Sequence, residues 1–148
     1  MIIMYTVNDV LQTKGYTTYT VKPDSTVYEA LKKMAGQNIG SVLVTQGNQI
    51  VGIFSERDYA RKVVLMGKTS RDSFVKDLMT DRVHAVRLST TINDCMKIMT
   101  DNRVRHLPVI DERENLIGVI SIGDVVNKII EAQNNTIHQL EDYIVGKR

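Results

Sequence analysis

Two short stretches, Ser55-Glu56-Arg57-Asp58 and Ser121-Ile122-Gly123-Asp124, place a hydroxyl and a carboxylate three residues apart directly after an apolar run. Where a strand gives way to a helix, Ser-x-x-Asp is a capping box that pairs otherwise orphaned backbone N–H groups. The same position suits an anionic ligand, because the first helical N–H groups are unpaired and the helix dipole is positive there. A carboxylate in that first turn can also accept hydrogen bonds from both hydroxyls of a ribose. Capping accounts for either stretch alone. Finding both Ser and Asp in both stretches favours the ligand reading.

Charge is unequally distributed around the two. Arg103, Arg105 and His106 offer three donors within four positions, a set that could clamp a phosphate. The matching positions near the first stretch are Asn38, Gly40 and Ser41, so that clamp is missing there. The sites are therefore expected to be unequal, the second taking the more anionic ligand. Arg57, Arg61 and Lys62 could add charge near the first, or could simply line a solvated helix face.

Other chemistry finds little footing. His84 and His138 have no partner at metal-ligand spacing, and no metal is expected. Cys95 lies among Met96 and Met99 on an apolar helix face, which reads as core rather than nucleophile. No Gly-x-Ser-x-Gly, phosphate-loop or His-Glu-x-x-His pattern occurs, and no catalytic residue or catalytic cofactor is nominated. The chain is therefore read as a non-enzyme. A net charge of +2 over 148 residues gives no argument for nucleic acid or membrane as partner. The opening Met1-Ile2-Ile3-Met4-Tyr5 lacks the basic flank and apolar run of a signal peptide, and the expected location is cytoplasmic.

The elements that must position these residues come from an internal repeat. At an offset of 65 residues Val21 falls on Val86, Thr26 on Thr91, Met34 on Met99 and Val44 on Val109. After one extra loop residue, Gly52-Ile53-Phe54-Ser55 falls on Gly118-Val119-Ile120-Ser121. A leader repeats too, Val7-Asn8-Asp9-Val10-Leu11 against Val75-Lys76-Asp77-Leu78-Met79. Each copy reads as βαββα. A strand (18–21, 84–86) precedes a Thr-capped amphipathic helix from Thr26 or Thr91, then a hairpin (42–54, 106–120), then a closing helix from Ser55 or Ser121. A unit of about 60 residues is marginal alone, so the two units are expected to bury their open faces sheet to sheet. The expected domains are residues 7–66, 75–130 and a helical tail over 131–148. In that tail Val126, Ile130, Gln133, Ile137, Leu140 and Ile144 follow heptad spacing, pointing to a homodimer seam or to a helix folded back on its own pair.

The duplicated leaders, the Thr-capped helices, Val104-Arg105-His106-Leu107-Pro108-Val109 and the repeated Gly-h-h-Ser-x-x-Asp together resemble the tandem cystathionine-β-synthase (CBS) domain pair, or Bateman module, of stand-alone bacterial type. The resemblance covers about residues 7–130. It implies an α+β fold of two βαββα units related by pseudo-two-fold symmetry, plus a C-terminal helix. It also implies that Asp58 and Asp124 hold ribose, that Ser55 and Ser121 lie near ribose or phosphate, and that adenine enters an apolar slot. That slot would be formed by Val86, Val104 and Ile120 in the second copy and by Tyr19, Ile39 and Phe54 in the first, unless these are core. The expected function is a regulatory adenine-nucleotide sensor for AMP, ATP or NAD acting on an unknown client protein. The alternative is a protein–protein assembly module whose ligand sites are vestigial.

Overall fold

The computed structural model describes residues 4–144. Met1–Ile3, part of the opening read above for a leader, and the last four residues of the tail lie outside the described residues. In chain order the elements are α1 (Val7–Lys14), β1 (Thr20–Val21), α2 (Val27–Gln37), β2 (Ser41–Gln46), β3 (Gln49–Ser55) and the single turn α3 (Glu56–Asp58). A π-helical stretch, Tyr59–Val64, follows; then come α4 (Val75–Leu78), α5 (Ile92–Asn102), β4 (His106–Ile110), β5 (Leu116–Ser121) and α6 (Ile122–Ile144). The fold is α+β.

The two copies fold alike where their sequences agree. Helices α2 and α5 each begin at a threonine whose hydroxyl accepts an N–H three residues on, Glu29 N at 3.1 Å and Asp94 N at 3.2 Å. Each ends in a left-handed residue, Asn38 and Arg103, both at φ 54°. Val27, Ala30 and Met34 are buried on α2, as are Ile92, Cys95 and Met99 on α5, the faces expected from the 3.6-residue period. In the first copy β1 runs parallel to β2, which pairs antiparallel with β3 in the register Ser41 to Ser55 and Val42 to Phe54. The turn is closed by Gly47 at φ 64°, a conformation that favours glycine.

Three expectations need correction. The strand foreseen over 84–86 reduces to one parallel bridge, Val86 to Val109, so the second copy's sheet has only β4 and β5. Arg87 to Thr90 already turns there through an N–H to carbonyl bond of 3.1 Å. The closing helix of the first copy is three α-helical residues followed by a π turn, closed by Leu65 N to Ala60 O at 3.1 Å. The tail is not a separate helix either, because α6 runs unbroken from Ile122 to Ile144.

The compact units partition the chain differently from the repeats. One comprises the chain up to Thr17, His84–Asp111 and the chain from Ile117 onward; the other comprises Thr18–Val83 with Glu112–Leu116. They are called here the Asp124 unit and the Asp58 unit. In each, the leader comes from the opposite copy. Helix α1 docks on the second copy through Val7 N to Thr90 O (2.9 Å), Asn8 N to Leu88 O (3.0 Å) and Ile92 N to Tyr5 O (3.0 Å). Helix α4 docks on the first through the equivalent bonds: Val75 N to Ser25 O, Lys76 N to Pro23 O and Val27 N to Ser73 O, all 2.9 Å. Val7, Val10 and Leu11 enter the Asp124 unit's core with Ile92, Leu107 and Ile120. Val75 and Leu78 enter the Asp58 unit's core with Val27, Val44 and Phe54.

The repeated glycine of Gly-h-h-Ser-x-x-Asp is explained by this exchange. A Cβ on Gly52 would stand 2.5 Å from Met79 Sδ and 3.0 Å from the Thr80 carbonyl oxygen. One on Gly118 would stand 3.0 Å from both methyls of Leu11. Leu11 and Met79 occupy the same position in the two leaders. The glycine makes room for the incoming leader rather than for a turn.

Candidate functional site

In the Asp124 unit, β5 delivers Ser121 directly to the start of α6. Ser121 N donates to Asp124 Oδ2 at 2.8 Å, and Asp124 N donates to the Ser121 hydroxyl at 3.2 Å. The capping box read from sequence is therefore formed. Ile122 N donates to Arg105 O at 2.8 Å, drawing the segment that carries the basic cluster to the helix N-terminus. The box leaves the carboxylate accessible: the Asp124 side chain keeps 24% of its surface exposed. Lys14, the last residue of α1, puts its Nζ 2.7 Å from Asp124 Oδ2 and 2.9 Å from the carbonyl oxygen of Val119.

Electrostatics at this point are set by those neighbours. Burial alone pushes the Asp124 carboxyl up, but the Lys14 ammonium and the Ser121 N–H and hydroxyl outweigh it and hold the group below the usual carboxylate range. His106 is held below its ordinary range by partial withdrawal from water and then by the positive Lys14 and Arg105, with Asp124 pulling the other way. Asp124 is thus an anion at neutral pH and His106 is largely neutral. The side chains of Arg103 and Arg105 are exposed, and no hydrogen bond or ion pair ties either guanidinium among the described residues. Arg103 occupies the left-handed cap of α5.

The Asp58 unit builds the same box with a different outcome. Ser55 N and the Ser55 hydroxyl donate to Asp58 Oδ2 at 3.0 and 3.1 Å, and Asp58 N donates back to Ser55 at 3.1 Å. The other oxygen, Oδ1, accepts from the Thr80 hydroxyl at 3.2 Å and pairs with Lys62 Nζ at 3.1 Å. Lys62 also donates to Leu78 O at 3.2 Å. Lys62 is therefore tied to Asp58 and Leu78 while 42% of its side chain stays exposed; the sequence leaves it either adding charge near the site or lining a solvated helix face. With both oxygens occupied, Asp58 is only 8% exposed. Arg57 and Arg61 lie exposed on the closing turn without partners among the described residues.

The apolar slot positions divide. Ile120 and Phe54 are completely buried and Val86 is 3% exposed, so these three are core and present almost no surface to a ligand. Val104, Ile39 and Tyr19 are half-buried. Lys14 and Thr80 were missed by sequence reading, since each lies in a leader whose destination is the opposite copy. The repeated leader was the one signal that could have singled them out.

Other features bound the chemistry. Burial, then the charge of Asp94, raises the Cys95 thiol to about 11, which keeps it protonated. Among the described residues no group of three or more His, Cys, Asp or Glu could hold a metal ion, and no helix is long and apolar enough to cross a membrane. A cavity of about 490 Å³ lies away from Asp124, between the start of α5 and the middle of α6, with Tyr5, Ile92, Ile129 and Ile137 in its walls. The heptad positions of α6 face outward: Ile130 is 49%, Leu140 57% and Ile144 79% exposed. The helix is nonetheless anchored as far as its middle, with Val125 buried and Asn135 Nδ2 donating to the Tyr5 hydroxyl at 2.9 Å.

The chain is similar to known proteins in sequence and fold. The family model described as "CBS domain" matches residues 7–65 and again 75–131. The CBS domain-containing protein CBSX3, mitochondrial, of Arabidopsis thaliana is 37% identical over 95% of this chain and 72% of its own length. A putative signal-transduction protein with CBS domains from Burkholderia ambifaria MC40-6 superposes with a TM-score of 0.79 at 46% identity, covering 85% of this chain and 94% of its own. A crystal structure of CBSX2 in complex with AMP matches with a TM-score of 0.69 at 27% identity, over 87% of this chain and 98% of that one. With two domain matches spanning most of its length, the chain belongs to the CBS-domain family and carries two such domains in tandem.

Proposed function

We propose that this chain is a regulatory module that senses an adenine nucleotide of the AMP, ATP or NAD class, with its principal site on Asp124. The observation that carries the reading is the state of that carboxylate. It is anionic and partly exposed at the N-terminus of the 23-residue helix α6, with Lys14, His106 and Arg105 around it. Ribose hydroxyls find an acceptor there and a phosphate finds donors. The AMP complex of a relative at 27% identity supports the ligand class. Ser121, Val104 and Arg103 complete the proposed second site. Ser55, Asp58, Arg57, Arg61, Tyr19 and Ile39 form a weaker first one, whose carboxylate must give up Thr80 or Lys62 before it can take ribose.

Calorimetric titration with AMP, ATP and NAD tests this. Asp124→Asn keeps most of the helix cap but removes the anionic acceptor, which contributes ~1.5–3 kcal/mol to a charged hydrogen bond. Affinity should fall roughly ten- to hundredfold. Asp58→Asn should change it less. Absence of binding by wild type at millimolar nucleotide, or an Asp124→Asn variant as tight as wild type, refutes the assignment.

The exposed seam of α6 favours a second element of the reading, a homodimer through that helix. Ile137→Glu and Leu140→Glu together should reduce the mass measured by light scattering to that of one chain. A variant of unchanged mass removes the helix from the interface. Should no nucleotide bind while the dimer persists, the chain is an assembly module with vestigial sites.

A further inference from the structure

We propose that Lys14 is the residue that makes the Asp124 site select nucleotides over nucleosides, by moving its ammonium from the carboxylate to the ligand's phosphate. The proposal rests on the nucleotide reading above and adds to it a residue from a different part of the chain. Nζ has three N–H donors. One goes to Asp124 Oδ2 at 2.7 Å and one to Val119 O at 2.9 Å, which leaves a third without a protein acceptor among the described residues. Asp124 Oδ2 takes Ser121 N and Lys14, and beside these the carboxylate meets only the Ser121 hydroxyl among the described residues. The pair is thus half-made on both sides, and open to water on both: 36% of the Lys14 side chain and 24% of the Asp124 side chain remain exposed.

The lysine is built to move. It is the last residue of α1, and the chain leaves the helix at once through Gly15 at φ 98°. Its ammonium hangs on a four-carbon stem at a helix terminus, held among the described residues by the two contacts named. The Asp58 unit supplies the contrast. There the lysine is Lys62, four residues along the closing turn from Asp58; like Lys14 it also donates to a backbone carbonyl, Leu78 O, so the difference lies at the carboxylate. Thr80 donates to the same oxygen, Oδ1, that Lys62 pairs with, and Ser55 occupies Oδ2. That carboxylate is the more closed of the two, its side chain 11% exposed against 24% for Asp124.

The charge arithmetic gives the selectivity. A ribose that takes Asp124 from Lys14 leaves an uncompensated ammonium beside Arg105 and His106, and a nucleoside offers nothing in return. A nucleotide brings its own anion, which receives the released ammonium in a charge-assisted contact. Lys14 therefore works against adenosine and in favour of AMP at one site. Lys14 and Arg105 are both positive neighbours of His106, so the three belong to one basic cluster beside Asp124.

The test is calorimetric titration of wild type, Lys14→Met and Lys14→Arg with AMP and with adenosine. Wild type should prefer AMP. In Lys14→Met, AMP should bind about tenfold more weakly and adenosine as well as before or better, so the preference shrinks at least tenfold. Lys14→Arg keeps the charge and should keep the preference, which guards against a mere folding defect, as does a thermal melt of each variant. A Lys14→Met variant that binds AMP with the wild-type preference overturns the role of Lys14 and leaves the nucleotide site standing. Wild type that binds neither compound overturns both.

Discussion

Replacing Gly52 by alanine tests the exchange of leaders in one methyl group. The added Cβ would lie 2.5 Å from Met79 Sδ and 3.0 Å from Thr80 O, against ordinary contact distances of about 3.5–4.0 Å for heavy atoms. Met79 can rotate away in part. Thr80 is less free, because its N–H and carbonyl make reciprocal bonds of 2.9 Å with Ile53, and its hydroxyl donates to Asp58. Relieving the overlap therefore means shifting backbone. Overpacking of this kind costs about 1–3 kcal/mol, and weakening one of the two Ile53 bonds adds roughly 1 kcal/mol. The lower entropy of the unfolded alanine chain returns ~0.5–1 kcal/mol. The expected net loss is about 1–3 kcal/mol. At Gly118 the same methyl meets only the tips of Leu11 at 3.0 Å. A small rotation clears them, so Gly118→Ala should cost roughly 0–1 kcal/mol. Urea denaturation followed by circular dichroism gives both values. A Gly52→Ala protein as stable as wild type, or one less affected than Gly118→Ala, would refute the packing argument.

Two further outcomes follow from features of the units. A fragment of residues 18–83 holds α4 with the core it completes, whereas residues 1–73 carry α1 without its seat and lack α4; only the former should show a cooperative melt. If 1–73 melts cooperatively and 18–83 does not, the units are not those described. His106 titrates below its ordinary range when folded, so as pH falls below about 6.5 the unfolded chain takes up a proton that the folded chain refuses. The melting temperature should drop across that interval and level off below the folded-state pKa. His106→Gln should flatten that part of a pH 5–8 melting series, and a wild-type curve already flat there contradicts the shift.

Much of this architecture was legible because it is local. Thr26 and Thr91 announce two helices through spacing alone, and the hairpins around Gly47 and residues 111–115 follow from alternation and turn residues. The strand before α5 was misread because its composition suits extended chain while the neighbour needed to make it a strand pairs at Val86 alone. Longer-range facts had no local sign. Nothing in Val7-Asn8-Asp9-Val10-Leu11 states that it packs beside Gly118, 107 residues from Leu11. The Ser-x-x-Asp stretches do form capping boxes, the bland alternative to the ligand reading that the repeat favoured, and what distinguishes them is who else reaches each carboxylate: Lys14 in one unit, Thr80 and Lys62 in the other. Those partners arrive through tertiary packing. For the same reason Ile120 and Phe54, plausible as an adenine slot by position, turned out to be filled core.

The exchange of leaders also sets an order of events during synthesis. Helix α1 leaves the ribosome well before its seat among Ile92, Leu107 and Ile120, which is not complete until β5 has been made. At about 5–20 residues per second, that is a wait of roughly 5–20 s. The Asp58 unit gains α4 soon after its own strands and can close much earlier. Through that interval Val7, Val10 and Leu11 form an apolar stripe with no place to go, the natural target for a holding chaperone. Helix α1 thus docks long after it is made, and with it arrives Lys14, so the Asp124 carboxylate acquires its ammonium only once both copies have been made.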